Sequence, residues 1–203
     1  MAKNKQILFL LLTSFWSLSA FSVSELNLNY GFDRQVYGTN RENKITSEKY
    51  GGAWAFYFFN LTAIEFNYSN SQRVTTINTK YVLDANISQT KVQNQVTSSS
   101  YGVGIRQALI KKSILTPVIS IGYAKQFVKD KTNVTYDYYG SVVTINGASS
   151  KSRVDSVYGT FSLKFKLSKR MSLTGSVNTI FPAFEFNKAR DSVHYRAGLS
   201  WII

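Results

Sequence analysis

Cysteine is absent from the 203 residues, which removes disulfides, thiolate metal sites, cysteine nucleophiles and a lipid-bearing N-terminal cysteine together. Small secreted domains usually rely on disulfides, so a chain without them must be stabilised in another way. His194 is the single histidine, and it leaves no second imidazole for a metal site. The sequence has no phosphate-binding glycine loop, no serine nucleophile elbow and no carboxylate cluster. No segment reaches about 18 consecutive apolar residues, so no transmembrane helix is expected. Acids are scarce: 11 Asp+Glu stand against 24 Lys+Arg, for a net charge of +13. The basic residues are scattered through turns and loops, which points away from nucleic acid and toward phosphorylated headgroups or lipopolysaccharide.

What the chain does have is aromatic residues and alternation. Tyr (13) and Phe (14) far outnumber Pro (2), a composition that suits strands. Residues 1 to 22 read as a signal peptide: Lys3 and Lys5 open it, an apolar centre follows from Ile7, and Ala20 and Ser22 supply the small-x-small cleavage pattern. Residues 23 to 203 then form one domain of eight period-two segments.

The last segment states the pattern best. Val193, Tyr195, Ala197, Leu199, Trp201 and Ile203 alternate with His194, Arg196, Gly198, Ser200 and Ile202. Earlier segments repeat it at Glu25 to Tyr37, Lys49 to Phe59, Asn60 to about Tyr68, Ser99 to Leu109, Ser113 to Ala124, Asp155 to Leu167 and Met171 to Asn178. A greasy face opposite one that carries charges predicts lipid outside and a narrow polar lumen inside, an all-β, eight-stranded antiparallel up-and-down barrel. Short turns are expected at 59 to 61, 111 to 113 and 168 to 170. Long loops are expected at about 38 to 48, 70 to 97, 129 to 154 and 180 to 190. Pairing across Asn60 sets Trp54 opposite Phe66 and Phe56 opposite Ile64, and pairing across Lys169 sets Phe165 opposite Leu173, so outward meets outward each time. Two loops look structured, one around an Asp84-Ala85-Asn86 turn and one where Tyr136 to Ile145 runs into an Asn146-Gly147 hairpin signal. Strands flanking them should continue beyond the lipid as a protruding sheet with a free edge.

Through its C-terminal strand and its eight alternating segments the chain resembles the small OmpA- and OmpX-like outer-membrane barrels. The resemblance implies a multi-pass protein in the outer membrane of a Gram-negative bacterium, inserted by the barrel-assembly machinery through the C-terminal strand. It implies no cofactor, and a monomer in contact with outer-membrane lipid and lipopolysaccharide. The OmpA periplasmic cell-wall domain has no counterpart here, so no cell-wall tether is expected.

Candidate residues follow from which face each occupies. If residues 85 and 86 centre the third hairpin, Glu65 faces Arg106 across neighbouring strands as a structural ion pair. Lys164, Lys166 and Arg196 also point inward, with Asp33 as the only other clear inward acid, so the lumen is expected to be net basic. Outward Tyr30, Tyr50, Trp54, Tyr68, Tyr101, Tyr123, Tyr195 and Trp201 are candidates for two aromatic girdles. Asp191, Ser192 and His194 lie together near the end of the last strand and raise lipid A modification as a reading. Three functions stay open: a non-enzymatic structural or surface-interaction protein working through its loops, a small porin with a basic lumen, and a barrel enzyme. The first is the expectation, with no catalytic or metal residues and an extracellular partner on the loops.

Overall fold

A computed structural model of the chain describes residues 23–38, 40–110, 113–185, 187 and 192–203. The expected signal peptide, and parts of the expected turn at 111 to 113 and loop at 180 to 190, lie outside the described residues. The strands are β1 (Val23–Tyr37), β2 (Asn43–Tyr57), β3 (Thr62–Ile77), β4 (Tyr81–Asp84), β5 (Ile87–Ala108), β6 (Leu115–Tyr138), β7 (Ser141–Asn146), β8 (Ser150–Lys166), β9 (Met171–Pro182) and β10 (Val193–Ile202).

Every pairing is antiparallel, and the order β5-β3-β2-β1-β10-β9-β8-β6 returns to β5 through the β5–β6 pair, closing a ring. The two short strands belong to longer staves. After a break at residues 78–80, β4 continues along β5 from where β3 leaves it. In the same way β7 and β8 run successively along β6, separated by residues 147–149. Eight staves therefore make the wall. The ring ends where it began: Ile203 donates its backbone N–H to Ser24 at 2.8 Å. Closure leaves no edge along the lower wall, which is what lipid demands of backbone polar groups.

Alternation decides what faces where. Along β1, Leu26, Leu28, Tyr30 and Phe32 face outward, while Glu25 and Asn27 are buried within. Large apolar side chains are exposed on the wall, Leu28 at 57% and Ile121 at 62%, whereas Glu65, Arg106, Lys164, Ser120 and Thr174 are buried. A water-soluble protein shows the reverse, so the wall is built for lipid and the lumen holds the polar core. The apolar belt stops at one level, because the next outward residues along the strands are Arg34, Glu48, Asn70, Ser99, Lys125 and Asp155.

Above that level several expectations change. The loop expected at 38 to 48 shrinks to residues 38–42, because β1 and β2 stay paired up to Tyr37 opposite Asn43. Strands occupy most of 70 to 97 and 129 to 154, the continuation as a protruding sheet that the sequence suggested, although both faces are wet there and hydrophobic alternation is lost. Asn146-Gly147 is not the hairpin turn. The chain reverses at Tyr139-Gly140, both with positive φ (50° and 79°), a two-residue turn of the primed type between Tyr138 and its partner Ser141. Gly147 instead sits where a Cβ would strike the Thr132 carbonyl, to which its own N–H donates at 2.8 Å.

Strand lengths are unequal. β5 has 22 residues and β6 has 24, about twice the ~10 that a tilted strand needs to cross a membrane. By contrast β9 ends at Pro182, opposite Ser156, and β10 begins at Val193. Among the described residues, Gly31 to Tyr37 of β1 pair with β2 only.

Candidate functional site

Inward side chains on β1, β2 and β3 stack in rows that describe the lumen from one end to the other. Nearest the turns stand Glu25, Ala55 and Glu65, followed by Asn27, Ala53 and Asn67, then Asn29, Gly51 and Ser69. Higher rows hold Gly31, Lys49 and Ser71, then Asp33, Ser47 and Arg73. Small residues in the middle strand leave room for the acids on either side.

The lower rows form a closed charge lattice. Arg106 donates from Nε to Glu65 Oε2 at 2.5 Å and from Nη1 to Glu25 Oε1 at 3.1 Å. Lys164 Nζ reaches both oxygens of Glu25, at 2.5 and 2.6 Å. Ser120 donates to Glu65 Oε2 at 2.9 Å and the Tyr57 hydroxyl to Glu25 Oε2 at 3.1 Å. Two carboxylates and two cations thus neutralise one another. All four are buried, and each is hydrogen-bonded, as low-dielectric surroundings require.

Two expectations are corrected here. The acid missing from the expectation of a net basic lumen is Glu25, which also points inward and makes the lower lumen neutral, so the surplus of basic residues lies in the upper rows. The register between Glu65 and Arg106 is also different: Glu65 lies opposite Gly104, and Arg106 opposite Ala63. Their side chains meet on the diagonal, since Gly104 offers no side chain to stand between them. The displacement of two residues accumulates in two steps, one at the irregularity between Val82 and Asp84 and one across residues 78–80, where the β3–β4 stave is interrupted.

Above the lattice, Tyr158 lies across Gly104 and Gly122, where a Cβ on either glycine would collide with its ring or hydroxyl. A polar cavity of about 50 Å³ remains, lined among others by Asn27, Asn67, Tyr158, Asn178 and Arg196. That volume holds a few waters.

The upper rows differ. Arg196 donates to Asn29 Oδ1 and Asn178 Oδ1, each at 3.2 Å, while its Nε finds no acceptor. Its stem passes Gly31, whose absent Cβ would lie 3.4 Å from Arg196 Cγ. Lys49 pairs with Gly31 on the adjacent strand, and Arg73 lies at the mouth. His194, opposite Asn178 on β9, faces Lys49, Arg196 and Arg73. Among the described residues it has no hydrogen bond to an acid or a serine, and Asp191 lies outside them. Lys166 ends β8 at the turn-end rim, exposed and away from the lattice.

On the outer wall, Trp54 and Trp201 both flank Leu26, and Trp54 packs tilted on Phe66 with centroids 6.4 Å apart. Tyr30 pairs with Tyr50, and Tyr68 with Tyr101 at 5.0 Å between ring centroids. Trp54 stands four residues from Tyr50, roughly 13 Å along the strand, so tryptophans and tyrosines occupy different depths. Tyr123 and Tyr195 are exposed on the same outer face.

Glu25, Tyr57, Ser120, Lys49 and Arg73 were missing from the sequence-based site. For Glu25 the signal was present, since it shares the parity of Asn27 and Asn29. Lys49 and Arg73 fell in or beside expected loops, so their facing was not read.

No protein-family model matches the chain, and none of the curated proteins does. Among solved structures it is similar to the N-terminal β-barrel domain of Pseudomonas aeruginosa OprF, with 13% identity over 90% of this chain and 97% of that one and a TM-score of 0.46. It is similar to Ail, the attachment invasion locus protein of Yersinia pestis, in complex with the heparin analogue sucrose octasulfate, with 11% identity over 90% and 99% of the chains and a TM-score of 0.48. Neisserial surface protein A gives 8% identity over 89% and 96%, with a TM-score of 0.47. The ring of registers, the polar lumen and the apolar wall make this chain a small eight-stranded antiparallel barrel of the outer-membrane type.

Proposed function

We propose that the protein is a non-enzymatic outer-membrane barrel whose task is surface interaction, performed by the sheet that β4, β5, β6 and β7 raise above the lipid belt. One observation carries this reading. All six residues of β7 are exposed, and among the described residues β7 pairs with β6 alone, which leaves one of its edges open. Val142 (75%), Val143 and Ile145 are exposed there, as are Tyr138 and Tyr139 beside them and Val82 and Leu83 on β4. Apolar side chains beyond the lipid have no membrane to cover them, and together with an open edge they suit a protein partner that adds a strand. In this reading the tip faces outward from the bacterium, the two aromatic bands sit at the headgroup levels, and the C-terminal strand engages the assembly machinery.

The charge lattice argues against the pore, because it spans the lumen and leaves space for water only. The test joins Val134 directly to Ile145 through an Asn-Gly turn, which removes the outermost β6–β7 pairs and leaves the barrel. Attachment of expressing bacteria to epithelial monolayers and to one another is measured, along with planar-bilayer conductance. Attachment with the intact protein, its loss with the shortened tip, and no conductance from either are expected. Steady conductance with attachment indifferent to the tip would replace this reading with the pore.

A further inference from the structure

The upper lumen holds cations that form no ion pair with any described residue. Among the described residues the ion pairs join Arg106 to Glu25 and Glu65, and Lys164 to Glu25; none involves Lys49, Arg73 or Arg196. Asp33 is the one carboxylate acting on Lys49, and it sits a row higher, in the row of Arg73. Like charges held together in a half-buried space repel one another, and burial strengthens the repulsion. A fold that pairs every charge lower down leaves three unpaired here, and the Arg196 Nε is sealed from solvent without an acceptor.

We infer that this vestibule is a binding site for a phosphate-type polyanion, held by Lys49, Arg73 and Arg196 with Asn29 and Asn178 orienting the guanidinium. The floor is the Tyr158 plug and the neutral lattice, so an anion enters and leaves by the same mouth and does not pass through. The site lies at the level where the outward residues turn polar, beside Arg34 and Glu48, so the anion comes either from a lipid headgroup or from solution. Arginine is suited to the task because its planar fork donates two parallel hydrogen bonds to a tetrahedral oxyanion. The inference is independent of the tip sheet and uses none of its residues.

The test uses the mature chain folded in a neutral glycoside detergent at low salt, titrated calorimetrically with inorganic pyrophosphate. Saturable binding at one site is expected, weakened at least tenfold in Lys49→Gln and in Arg73→Gln and unchanged in Lys129→Gln, an outward lysine at the level of Lys151. The heat-dependent electrophoretic shift verifies folding of each variant. A second arm repeats the titration in phosphatidylcholine vesicles with and without phosphatidic acid. Competition by phosphatidic acid assigns the site to lipid phosphate, and indifference assigns it to a soluble anion. Absence of saturable binding, or equal binding in Lys49→Gln and the parent, or equal loss in Lys129→Gln, would overturn the inference.

Discussion

The two halves of the lumen place like residues in unlike company. Near the turns, Arg106 and Lys164 sit among Glu25, Glu65, Tyr57 and Ser120, with every charge met at hydrogen-bonding distance. Toward the tip, Lys49, Arg73 and Arg196 share the space with Asp33 and a row of serines and asparagines. The lower half therefore holds the barrel together, while the upper half tolerates electrostatic repulsion. Strain kept at one site while the rest is satisfied is a mark of function more than of folding.

The sharpest way to break this comparison is to remove one lower cation. Arg106→Met leaves Glu25 and Glu65 facing a single ammonium, and a buried pair broken on one side loses about 3–5 kcal/mol. Urea unfolding of the detergent-folded protein, followed by the mobility shift, should register that loss. Adding Glu65→Leu to the same chain should restore most of it, because the orphaned carboxylate is gone. If Arg106→Met unfolds at the parent urea concentration, the lower half is not the brace.

The boundary between the halves gives the next largest effect. Tyr158 needs the bare backbone of Gly104 and Gly122 beneath it. Gly122→Val puts a Cβ and two methyl groups into that space, against the Tyr158 ring and the Val103 carbonyl, and overpacking of this kind destabilises by about 1–3 kcal/mol. Its unfolding midpoint should fall between those of the parent and Arg106→Met.

In the upper half the sign should reverse. Lys49→Gln removes a cation that has like charges on either side, so stability should rise by up to about 1 kcal/mol. Added salt should stabilise the parent and leave Lys49→Gln nearly unchanged, because screening acts on the repulsion that the substitution has already removed. A loss of stability on Lys49→Gln would mean that the upper half is braced like the lower.

The same division explains what the sequence made legible. Below the level of Arg34 and Glu48, one face meets lipid and the other meets the lumen, so hydrophobicity alternates and both facing and register can be read, as with Trp54 opposite Phe66. Above it both faces meet water. Glu48, Asn70 and Gln72 point outward where apolar residues would have marked a strand, and β2 and β3 were cut short accordingly. Arg73 was lost with them, and with it most of the upper site. The Glu65–Arg106 contact was anticipated from a register displaced by two residues. The diagonal reach of arginine past Gly104 hides such an error, so a contact between long side chains tests strand register poorly.

The smallest structural effect is expected farthest from the lumen. Val142 on β7 is 75% exposed, and Asp137 is its cross-strand partner. Val142→Lys changes no buried contact, and surface substitutions of this kind move stability by less than about 0.5 kcal/mol. A lysine there also places a charge on the open edge, the device by which natural edge strands refuse a further strand. The urea midpoint should therefore match that of the parent, while attachment of expressing bacteria falls to the level of cells without the protein. Attachment unaltered by Val142→Lys would move the contact surface off the β7 edge, whereas a shifted midpoint would mean that the tip is tied into the stability of the barrel below.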